Sequence, residues 1–500
     1  MSASGPAIDE LVRQATATPA ARSLVETIDV EAVNAKAKRQ LYEKRKKIHP
    51  KLVHGRFRRI KWLVMLVTLA IYYLTPWIRW DRGAGQPDQA VLLDLPNRRF
   101  YFFFIEIWPQ QIYYLTGLLI LAAIGLFLVT SIAGRVWCGY ACPQTVWTDL
   151  FILVERLVEG DRAERIRLDK KPWSAAKLGR KSAKHAIWVL IALATGGAWV
   201  FYFADAPTLA ADLLAFQAPT VAYVFIGLLT FTTYWLGGHM REQVCTYMCP
   251  WPRIQGAMLD EESLVVTYRA YRGEPRGPLR KGAIAEGHGD CIDCKQCVVA
   301  CPMGIDIRDG QQLECITCAL CIDACDDVMG RIGKPRGLIA YDTLGNLERR
   351  SHGLSTRLRL LRPRTLLYAA VLLLVAGIMA FSFGTRSDLE VNVIKDRNPL
   401  YVTLSDGSIR NGYTLKILNM ANQPRHVALR VEGLPEAALT LGGKAMPEDI
   451  VVPADEVLTL RLFVAAPAEA LKTAATDIEF VVQEPDQSWR SRSIFRGPES

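Results

Sequence analysis

Five long stretches of the chain carry no charged side chain, and they limit its fold more than any other feature. A transmembrane helix needs about 20 apolar residues to cross a hydrocarbon layer of about 30 Å. The alternative, a helix buried in a soluble core, is usually shorter. It deserves weight only for the first stretch, which contains Pro76. We therefore expect five transmembrane helices. They are Trp62–Ile78, Tyr113–Gly134, Ala186–Ala204, Pro219–Gly238 and Thr365–Gly384.

The charged residues between these stretches predict an orientation. Between Lys36 and Lys61 there are twelve Lys or Arg and one acid, Glu43. The connection 135–185 carries eleven basic residues, whereas 205–218 carries none. Basic loops stay in the cytoplasm, so we expect a cytoplasmic N-terminus, an external C-terminal region and membrane lipid as a partner. Because the basic residues flank the apolar stretches, we expect no nucleic-acid partner for the net charge of +10.

All twelve cysteines fall into spaced groups on the predicted cytoplasmic side, where structural disulfides are rare. Eight of them form two runs of C-x2-C-x2-C-x3-C, separated by thirteen residues. This run binds [4Fe–4S] clusters in bacterial ferredoxins, where the fourth cysteine ligates the other cluster. We therefore predict two clusters with crossed ligation. Cys291, Cys294, Cys297 and Cys325 bind the first, and Cys315, Cys318, Cys321 and Cys301 bind the second.

Zinc is the alternative for a single C-x2-C pair, but two matching runs of four cysteines favour iron–sulfur clusters. One position departs from the usual pattern. Asp326 stands where the second run would ordinarily carry a proline. The substitution weakens the expected loop geometry without changing the number of ligands.

The other four cysteines belong to a repeated element, C-x-Y-x-C-P, which follows the second and the fourth predicted helix. Its copies contain Cys138 with Cys142, and Cys245 with Cys249. If each helix continues, cysteines at i and i+4 share a face, and two adjacent hairpins would bring four sulfurs together. Such thiolates suit a soft ion such as Cu(I) or a further iron–sulfur centre. Packing of small residues is the structural alternative.

The remaining segments add no ligands. An apolar stripe over Val146–Val158 predicts an amphipathic helix along the membrane that could shield the first dithiol. After Asp388, short alternating strands predict an immunoglobulin-like β-sandwich. They are Leu389–Ile394, Tyr413–Asn419, His426–Val431, Val457–Val464 and Asp477–Val482.

The fold class is thus an α-helical membrane protein with an inserted two-cluster ferredoxin-like domain and a C-terminal immunoglobulin-like sandwich. We expect five parts. They are an N-terminal tail (1–60), a four-helix membrane domain (61–259), the ferredoxin-like domain (260–345), a linker with the fifth helix (346–386) and the sandwich (387–500).

The sequence contains none of the common motifs for hydride transfer, phosphoryl transfer or hydrolysis. There is no G-x-G-x-x-G after a strand, no P-loop, no H-E-x-x-H and no G-x-S-x-G. One-electron transfer is what the thiol groups favour, from a soluble cytoplasmic donor through the clusters to an acceptor at the membrane face. A polyferredoxin subunit that serves another membrane enzyme or quinone, and a scaffold with structural clusters, are the alternatives.

Several stretches closely resemble the CcoG/FixG/RdxA family. They are W-C-G-Y-A-C-P-Q-T-V-W-T (137–148), E-Q-V-C-T-Y-M-C-P (242–250), C-P-M-G-I-D-I-R (301–308) and E-C-I-T-C-A-L-C-I-D-A-C-D (314–326), with Y-L-T-P-W-I-R-W (73–80). The resemblance implies a protein of the bacterial cytoplasmic membrane that helps assemble cbb-type cytochrome c oxidase. The external C-terminal region expected from the charges would then lie in the periplasm.

The family's proposed activity is the reduction of Cu(II) to Cu(I), so the resemblance implies a cupric reductase-like oxidoreductase. Carried over by position, Cys138, Cys142, Cys245 and Cys249 become the copper-handling groups. The eight cysteines from 291 to 325 become the ligands of two [4Fe–4S] clusters. Oxidase assembly components become partners, and a homodimer is left open.

Overall fold

The computed structural model describes residues 27–34, 46–83, 85–278, 287–421, 423–471, 473–485 and 487–498. Most of the predicted N-terminal tail, with the first part of its basic run, lies outside the described residues. Within the described ranges, five helices are long and apolar enough to cross a membrane. The chain separates into two compact units, Met1–Met379 and Ala380–Ser500.

The first unit is mainly helical and contains two small antiparallel sheets. One sheet has the order β1 (Val91–Asp94), β2 (Arg99–Phe102), β3 (Ile105–Ile107), and the other pairs β4 (Val265–Tyr268) with β5 (Ile339–Asp342). The helices are α1 (Arg56–Leu74), α2 (Tyr113–Ala133), α3 (Val136–Tyr140), α4 (Pro143–Glu159), α5 (Arg162–Lys170), α6 (Ala175–Val200), α7 (Ala206–Leu214), α8 (Thr220–Thr233), α9 (Trp251–Met258), α10 (Ala270–Gly273), α11 (Gln296–Ala300), α12 (Leu320–Arg331), α13 (Leu344–Ser351) and α14 (Pro363–Gly384).

Two of the long helices begin earlier than the charge-free stretches predict, because charged residues in their N-terminal parts have partners. In α1, Arg58 Nη1 lies 2.9 Å from the Asp149 carboxylate. In α6, Lys184 Nζ lies 3.0 Å from Glu159. The hydroxyl of Ser174 also accepts a hydrogen bond from the backbone N–H of Lys177 and caps α6. Charge alone therefore underestimates the length of both helices.

The fourth long helix changes its winding before it ends. The α-helical part stops at Thr233, and π-helix follows over Tyr234–Met240 and again over Val244–Met248. Between them Arg241 has a φ of 45°. The expectation that Cys245 and Cys249 share one face of a continuing α-helix is therefore wrong. The wider π-helical turn replaces the i, i+4 geometry, and such turns often occur at functional sites.

The first dithiol also departs from the i, i+4 expectation. Cys138 lies in the short helix α3, whereas Cys142 follows that helix and immediately precedes Pro143, the first residue of α4. Proline is well suited to a first helical turn and cannot continue a helix in its interior. The two cysteines are therefore held on a break between helices.

The predicted amphipathic helix exists as α4, and Val146 and Val154 of the predicted apolar stripe are buried, but the buried side also differs from that stripe. Leu157, a member of that stripe, is 77% exposed. Three acids of the same helix, Asp149, Glu155 and Glu159, are buried. Basic side chains from neighbouring helices neutralise these acids, which apolar periodicity does not reveal.

The second unit is a sandwich of two antiparallel sheets. Its strands are β6 (Leu389–Lys395), β7 (Val402–Thr403), β8 (Ile409–Asn419), β9 (Arg425–Glu432), β10 (Ala438–Leu441), β11 (Lys444–Ala445), β12 (Ile450–Val452), β13 (Val457–Ala466), β14 (Ala475–Gln483) and β15 (Ser488–Arg496). One sheet has the order β11–β10–β13–β8–β6, with β7 beside β8, and the other has the order β12–β9–β14–β15. The five predicted strands each lie within an observed strand. Strand β15 was not predicted, because Phe495 is the one buried residue in it.

Candidate metal centre

The two ferredoxin-type loops share left-handed backbone at equivalent positions. In the first loop, the residues on either side of Cys294, Asp293 and Lys295, have φ values of 51° and 56°. In the second loop, the residues on either side of Cys318, Thr317 and Ala319, have φ values of 55° and 60°. Left-handed backbone is uncommon for residues other than glycine and persists where the surroundings impose it. Its repetition at equivalent positions fits two loops that wrap two similar clusters.

The structure brings the first group of predicted ligands into one core. Cys291, Cys297 and Cys325 belong to the same buried cluster, and Cys294 packs against it. Cys297 lies on α11 and Cys325 on α12. Beyond burial itself, the groups that raise the pKa of Cys325 most are the neighbouring thiols of Cys294 and Cys291. The fourth cysteine of the second run thus lies beside the first loop.

The second group forms a cavity of its own. Cys301, Cys315, Cys318 and Cys321 line it, together with Cys297 and aliphatic side chains. After burial, the thiols that most affect the pKa of Cys301 are Cys318 and then Cys315. This proximity is the crossed arrangement that the spacing predicts. Cys297, from the first group, reaches the same cavity, so the two groups are adjacent.

The buried cysteine thiols hold their protons tightly when no cation replaces them. Burial is the main cause that raises the pKa of Cys315 to about 11 and of Cys325 to about 12. It also raises the pKa of Cys297 and Cys321 well above the ordinary value. A bound metal replaces the proton and stabilises the thiolate. The burial of these thiols therefore favours cysteines that bind iron–sulfur clusters over cysteines that remain as free thiolates.

The four cysteines of the repeated element also meet, and we call them the membrane-face cysteines. Burial raises the pKa of Cys245 to about 12, and the next causes are the thiols of Cys142, Cys138 and Cys249, in that order. Burial likewise raises the pKa of Cys138 to about 11. Two breaks in different helices thus bring four sulfurs into one neighbourhood.

Two buried side chains hold Cys138 in place. Its thiol donates a hydrogen bond of 3.0 Å to Oε1 of Gln255, which is fully buried on α9 and donates in turn to Thr130 on α2. Arg135 is also buried, and its guanidinium donates to the carbonyl oxygen of Leu313. The positive charge of Arg135 opposes the effect of burial on the pKa of Cys138, Cys245 and Cys315. The positive charge of Arg135 therefore acts both on the membrane-face cysteines and on Cys315 of the second ferredoxin loop.

The segment between Cys138 and Cys142 packs directly on the second ferredoxin loop. A Cβ added to Gly139 would lie 2.6 Å from the carbonyl oxygen of Ile316 and 3.1 Å from Cα of Cys318. The hydroxyl of Tyr140 donates a 3.1 Å hydrogen bond to the carbonyl oxygen of Cys318. Cys138 and Cys318 share one buried core, against which Cys245, Cys301 and Cys315 pack.

Within the described ranges, no group of three or more His, Cys, Asp or Glu side chains is close enough to hold one metal ion. A [4Fe–4S] cluster does not require such a group, since its four cysteines bind different iron atoms. At the membrane-face cysteines, the finding means that a single ion has at most two preformed thiol ligands. A third or fourth thiol would have to move toward it.

A buried ion-pair network beside the cysteines has no counterpart in the sequence-based site prediction. Glu155 on α4 is fully buried and lies 2.6 Å from Arg241 and 2.9 Å from Arg165. Although burial opposes it, these positive charges lower the pKa of the Glu155 carboxyl to about 2. The i, i+4 spacing of Glu155 and Glu159 inside an apolar helix is the signal that could have revealed it.

Three family descriptions match successive parts of the chain. Residues 115–159 match a "4Fe-4S binding domain" and residues 240–344 a "4Fe-4S dicluster domain". Residues 379–498 match an "IG-like fold at C-terminal of FixG". The first two matches contain all twelve cysteines. Together with the folded loops, they define a ferredoxin-type iron–sulfur protein with a C-terminal immunoglobulin-like domain.

Three relatives are similar over almost the whole length. "Nitrogen fixation protein FixG" of Rhizobium meliloti (strain 1021) is 55% identical, covering 96% of this chain and 97% of its own. "Protein RdxB" of Cereibacter sphaeroides is 55% identical over 91% of this chain and 97% of its own. "Protein RdxA" of the same organism is 51% identical over 88% and 93%. The chain belongs to the FixG/RdxA family.

Proposed function

We propose that this protein is a membrane-bound electron-transfer protein that reduces Cu(II) to Cu(I) at the membrane-face cysteines. Electrons enter from a cytoplasmic donor through the eight ferredoxin-type cysteines and their clusters. The product serves the assembly of a cbb-type cytochrome c oxidase, as the family resemblance implies. The FixG/RdxA relationship and the iron–sulfur domains support the general electron-transfer role.

The observation that carries this proposal is the contact between the two thiol sites. Gly139 lies against the backbone of Ile316 and Cys318, and the Tyr140 hydroxyl bonds to the Cys318 carbonyl oxygen. Only one layer of backbone and side chains therefore separates Cys138 from the second ferredoxin loop. The proposed electron path between them is short and runs through one buried cluster of side chains.

The residues at the membrane face suit copper as a substrate. When bound, the clusters supply one electron for each Cu(II) ion. Thiols of a cysteine pair lose their protons as they bind the metal. The added electron converts Cu(II) into Cu(I), a softer ion that thiolates retain. Arg135 offsets the negative charge that accumulates on the sulfurs, and Gln255 holds Cys138 in position.

The proposed orientation places the cysteines on the cytoplasmic side. The basic residues of segment 36–61 and of the connection 135–185 support it through the positive-inside rule. Five crossings would then place the C-terminal immunoglobulin-like domain in the periplasm. This arrangement brings the clusters to a soluble cytoplasmic donor.

The test compares anaerobically purified wild type with Cys245→Ala/Cys249→Ala, using iron and copper analysis, EPR and a Cu(I)-specific chelator. The wild type should contain about eight iron atoms per chain, as two [4Fe–4S] clusters require, and should produce Cu(I) once its clusters are reduced. The double variant should keep the iron and the EPR signals but lose copper reduction. Thr246→Ala, in the same π-helical turn, leaves all four thiols in place and is the matched control.

Two results would contradict the proposal. Iron well above eight atoms per chain that falls in the double variant would assign a further iron–sulfur centre to the membrane-face cysteines, as the match at 115–159 allows. Unchanged copper reduction in the double variant, with electrons lost to another membrane acceptor, would identify a polyferredoxin subunit instead.

A further inference from the structure

A cavity rich in basic side chains lies between α6 and the end of the fourth long helix. It has a volume of about 280 Å³. Lys47, Lys181, Lys184 and Arg241 line it, with Trp188 as its aromatic wall and Glu155 as the one acid among its lining residues. We call it the basic cavity. It is separate from the pocket beside Cys245, although Arg241 borders both.

The ion pairs around the basic cavity leave a surplus of positive charge. Lys181 and Lys184 each lie 3.0 Å from Glu159, and Lys181 also lies 2.6 Å from Asp169. Lys47 pairs with Asp169, while Arg165 and Arg241 share Glu155. Among the described residues of this connected set, five basic groups face three carboxylates. Its most deeply buried members are the cations Lys184, Arg165 and Arg241 and the carboxylates Glu155 and Glu159, a surplus of one positive charge. Buried charge of one sign is costly unless an opposite charge compensates it.

Arg241 supplies a donor that the surrounding protein does not use. Its side chain is 4% exposed, and it donates through Nε to the Gly238 carbonyl oxygen and through Nη2 to Glu155. Its Nη1 is buried and has no hydrogen-bond partner among the described residues. A guanidinium in this state suits a phosphate oxygen, which it can bind together with neighbouring lysines.

Close packing and an unusual backbone conformation restrict the position of Arg241. A Cβ added to Gly238 would lie 3.0 Å from the Trp188 ring, so a larger residue would not fit there without movement. Lys184 Nζ lies 4.8 Å from the centroid of the same ring. Arg241 itself has a φ of 45° between two π-helical turns. Such strained backbone is maintained where the surroundings impose it.

We infer that the basic cavity binds the phosphate group of an anionic membrane phospholipid. The inference rests on the orientation given under the proposed function, because that orientation places the cavity at the depth of the inner-leaflet headgroups. Basic pockets between transmembrane helices on this side characteristically bind such headgroups. Free inorganic phosphate offers the same chemistry, but it lacks acyl chains that would rest on the apolar sides of the helices.

Lipid in this cavity would act on the membrane-face cysteines through Arg241. Arg241 lies four residues before Cys245, at the junction from which the second π-helical turn begins. A phosphate bound to Nη1 would fix the guanidinium between Glu155 and the lipid. The position of the turn that carries Cys245 would then depend on the bound lipid.

The test is native mass spectrometry of the full chain in detergent, titrated separately with phosphatidylglycerol, phosphatidylcholine and inorganic phosphate. Wild type should retain phosphatidylglycerol in preference to phosphatidylcholine. Lys47→Gln and Lys181→Gln should each weaken its binding about fivefold, as expected for loss of one lysine near an anionic headgroup. Lys171→Gln removes the same charge from an exposed position outside the cavity and should have no effect.

Lipid binding is measured without copper or a reductant, so its result does not depend on the copper chemistry. Unchanged iron content and melting temperature in the variants would show that they fold. Equal binding of both phospholipids, or an equal loss in Lys171→Gln, would overturn the inference. Binding of inorganic phosphate that the cavity variants weaken, without selective lipid binding, would overturn the lipid as its source.

Discussion

Gly139 is the residue on which the contact between the two thiol sites depends most directly. It separates Cys138 from Tyr140, and its missing side chain allows the backbone to approach Ile316 and Cys318. Its neighbours are buried on both sides of the contact. Any side chain here must displace backbone rather than the flexible end of another side chain.

Gly139→Ala should therefore separate the first dithiol from the second ferredoxin loop. We expect a destabilisation of about 1–3 kcal/mol, typical of overpacking in a buried site, and slower copper reduction at unchanged iron content. Thermal unfolding and single-turnover reduction of Cu(II) would measure the two effects.

Gly179→Ala is the matched control, because a Cβ at Gly179 on α6 meets nothing within 4 Å. It should leave copper reduction unchanged. Equal reduction rates in the two alanine variants would show that close approach at Gly139 does not limit electron transfer.

At the scale of elements, α12 connects the cluster ligands to the first long helix. It carries Cys321 and Cys325. The carboxylate of Asp323, between them, accepts hydrogen bonds from the backbone N–H groups of Phe57 and Arg58, at 3.2 and 2.7 Å. These groups belong to the first turn of α1, where an unpaired N–H has no partner within the helix. A distant helix thus provides the N-terminal cap of α1.

Asp323→Ala should uncouple α1 from the cluster region. Loss of an N-cap costs about 0.5–2 kcal/mol, and we expect a fall of this size in the free energy of unfolding. Chemical denaturation of the anaerobic holoprotein, followed by cluster absorbance, would measure it.

Asp327→Ala provides the comparison on the same helix. Asp327 is about half exposed and pairs with Arg331 at the surface, so its removal should change stability by no more than about 0.5 kcal/mol. A loss as large as that of Asp323→Ala would show that the cap on α1 is not the cause.

The unusual residue after the second cysteine run, Asp326, connects two elements. Asp326 replaces the usual proline, and its carboxylate accepts a 2.7 Å hydrogen bond from the backbone N–H of Gly337. Gly337 has a φ of 81°, which favours glycine. The aspartate therefore ties α12 to the segment that leads into β5, a role that proline could not perform.

At the scale of the whole molecule, the redox-capable groups and the immunoglobulin-like domain occupy different compact units. All twelve cysteines lie between residues 138 and 325, in the first unit, and the second unit has none. The basic connections are also in the first unit.

The proposed orientation predicts the outcome of reporter fusions. An N-terminal green fluorescent protein should be fluorescent in the cytoplasm, and alkaline phosphatase fused to the C-terminus should be active in the periplasm. An impermeant maleimide should not label Cys138 or Cys245 in intact cells but should label them in inverted vesicles of cluster-free protein. Labelling from outside intact cells would contradict the proposed electron path, which begins at a cytoplasmic donor.

Sequence patterns predicted the features that local chemistry controls. Apolar stretches located the five long helices, and alternation located the strands around Leu415 and Phe480 in the sandwich core. Cysteine spacing predicted two iron–sulfur loops, because ligand geometry restricts how far apart thiolates can lie along a chain. The repeated C-x-Y-x-C-P element identified the membrane-face cysteines as a group.

Only the tertiary structure decided which distant groups meet. The capping of α1 by Asp323, the pairing of Glu155 with Arg241 and the contact of Gly139 with Ile316 join positions far apart in the chain. Local periodicity contains no information about such pairs, because it reports which residues share a face and not what that face meets. The sequence by itself determined the inventory of helices, strands and thiols. Packing determined that the two thiol sites touch and that a basic cavity opens beside them.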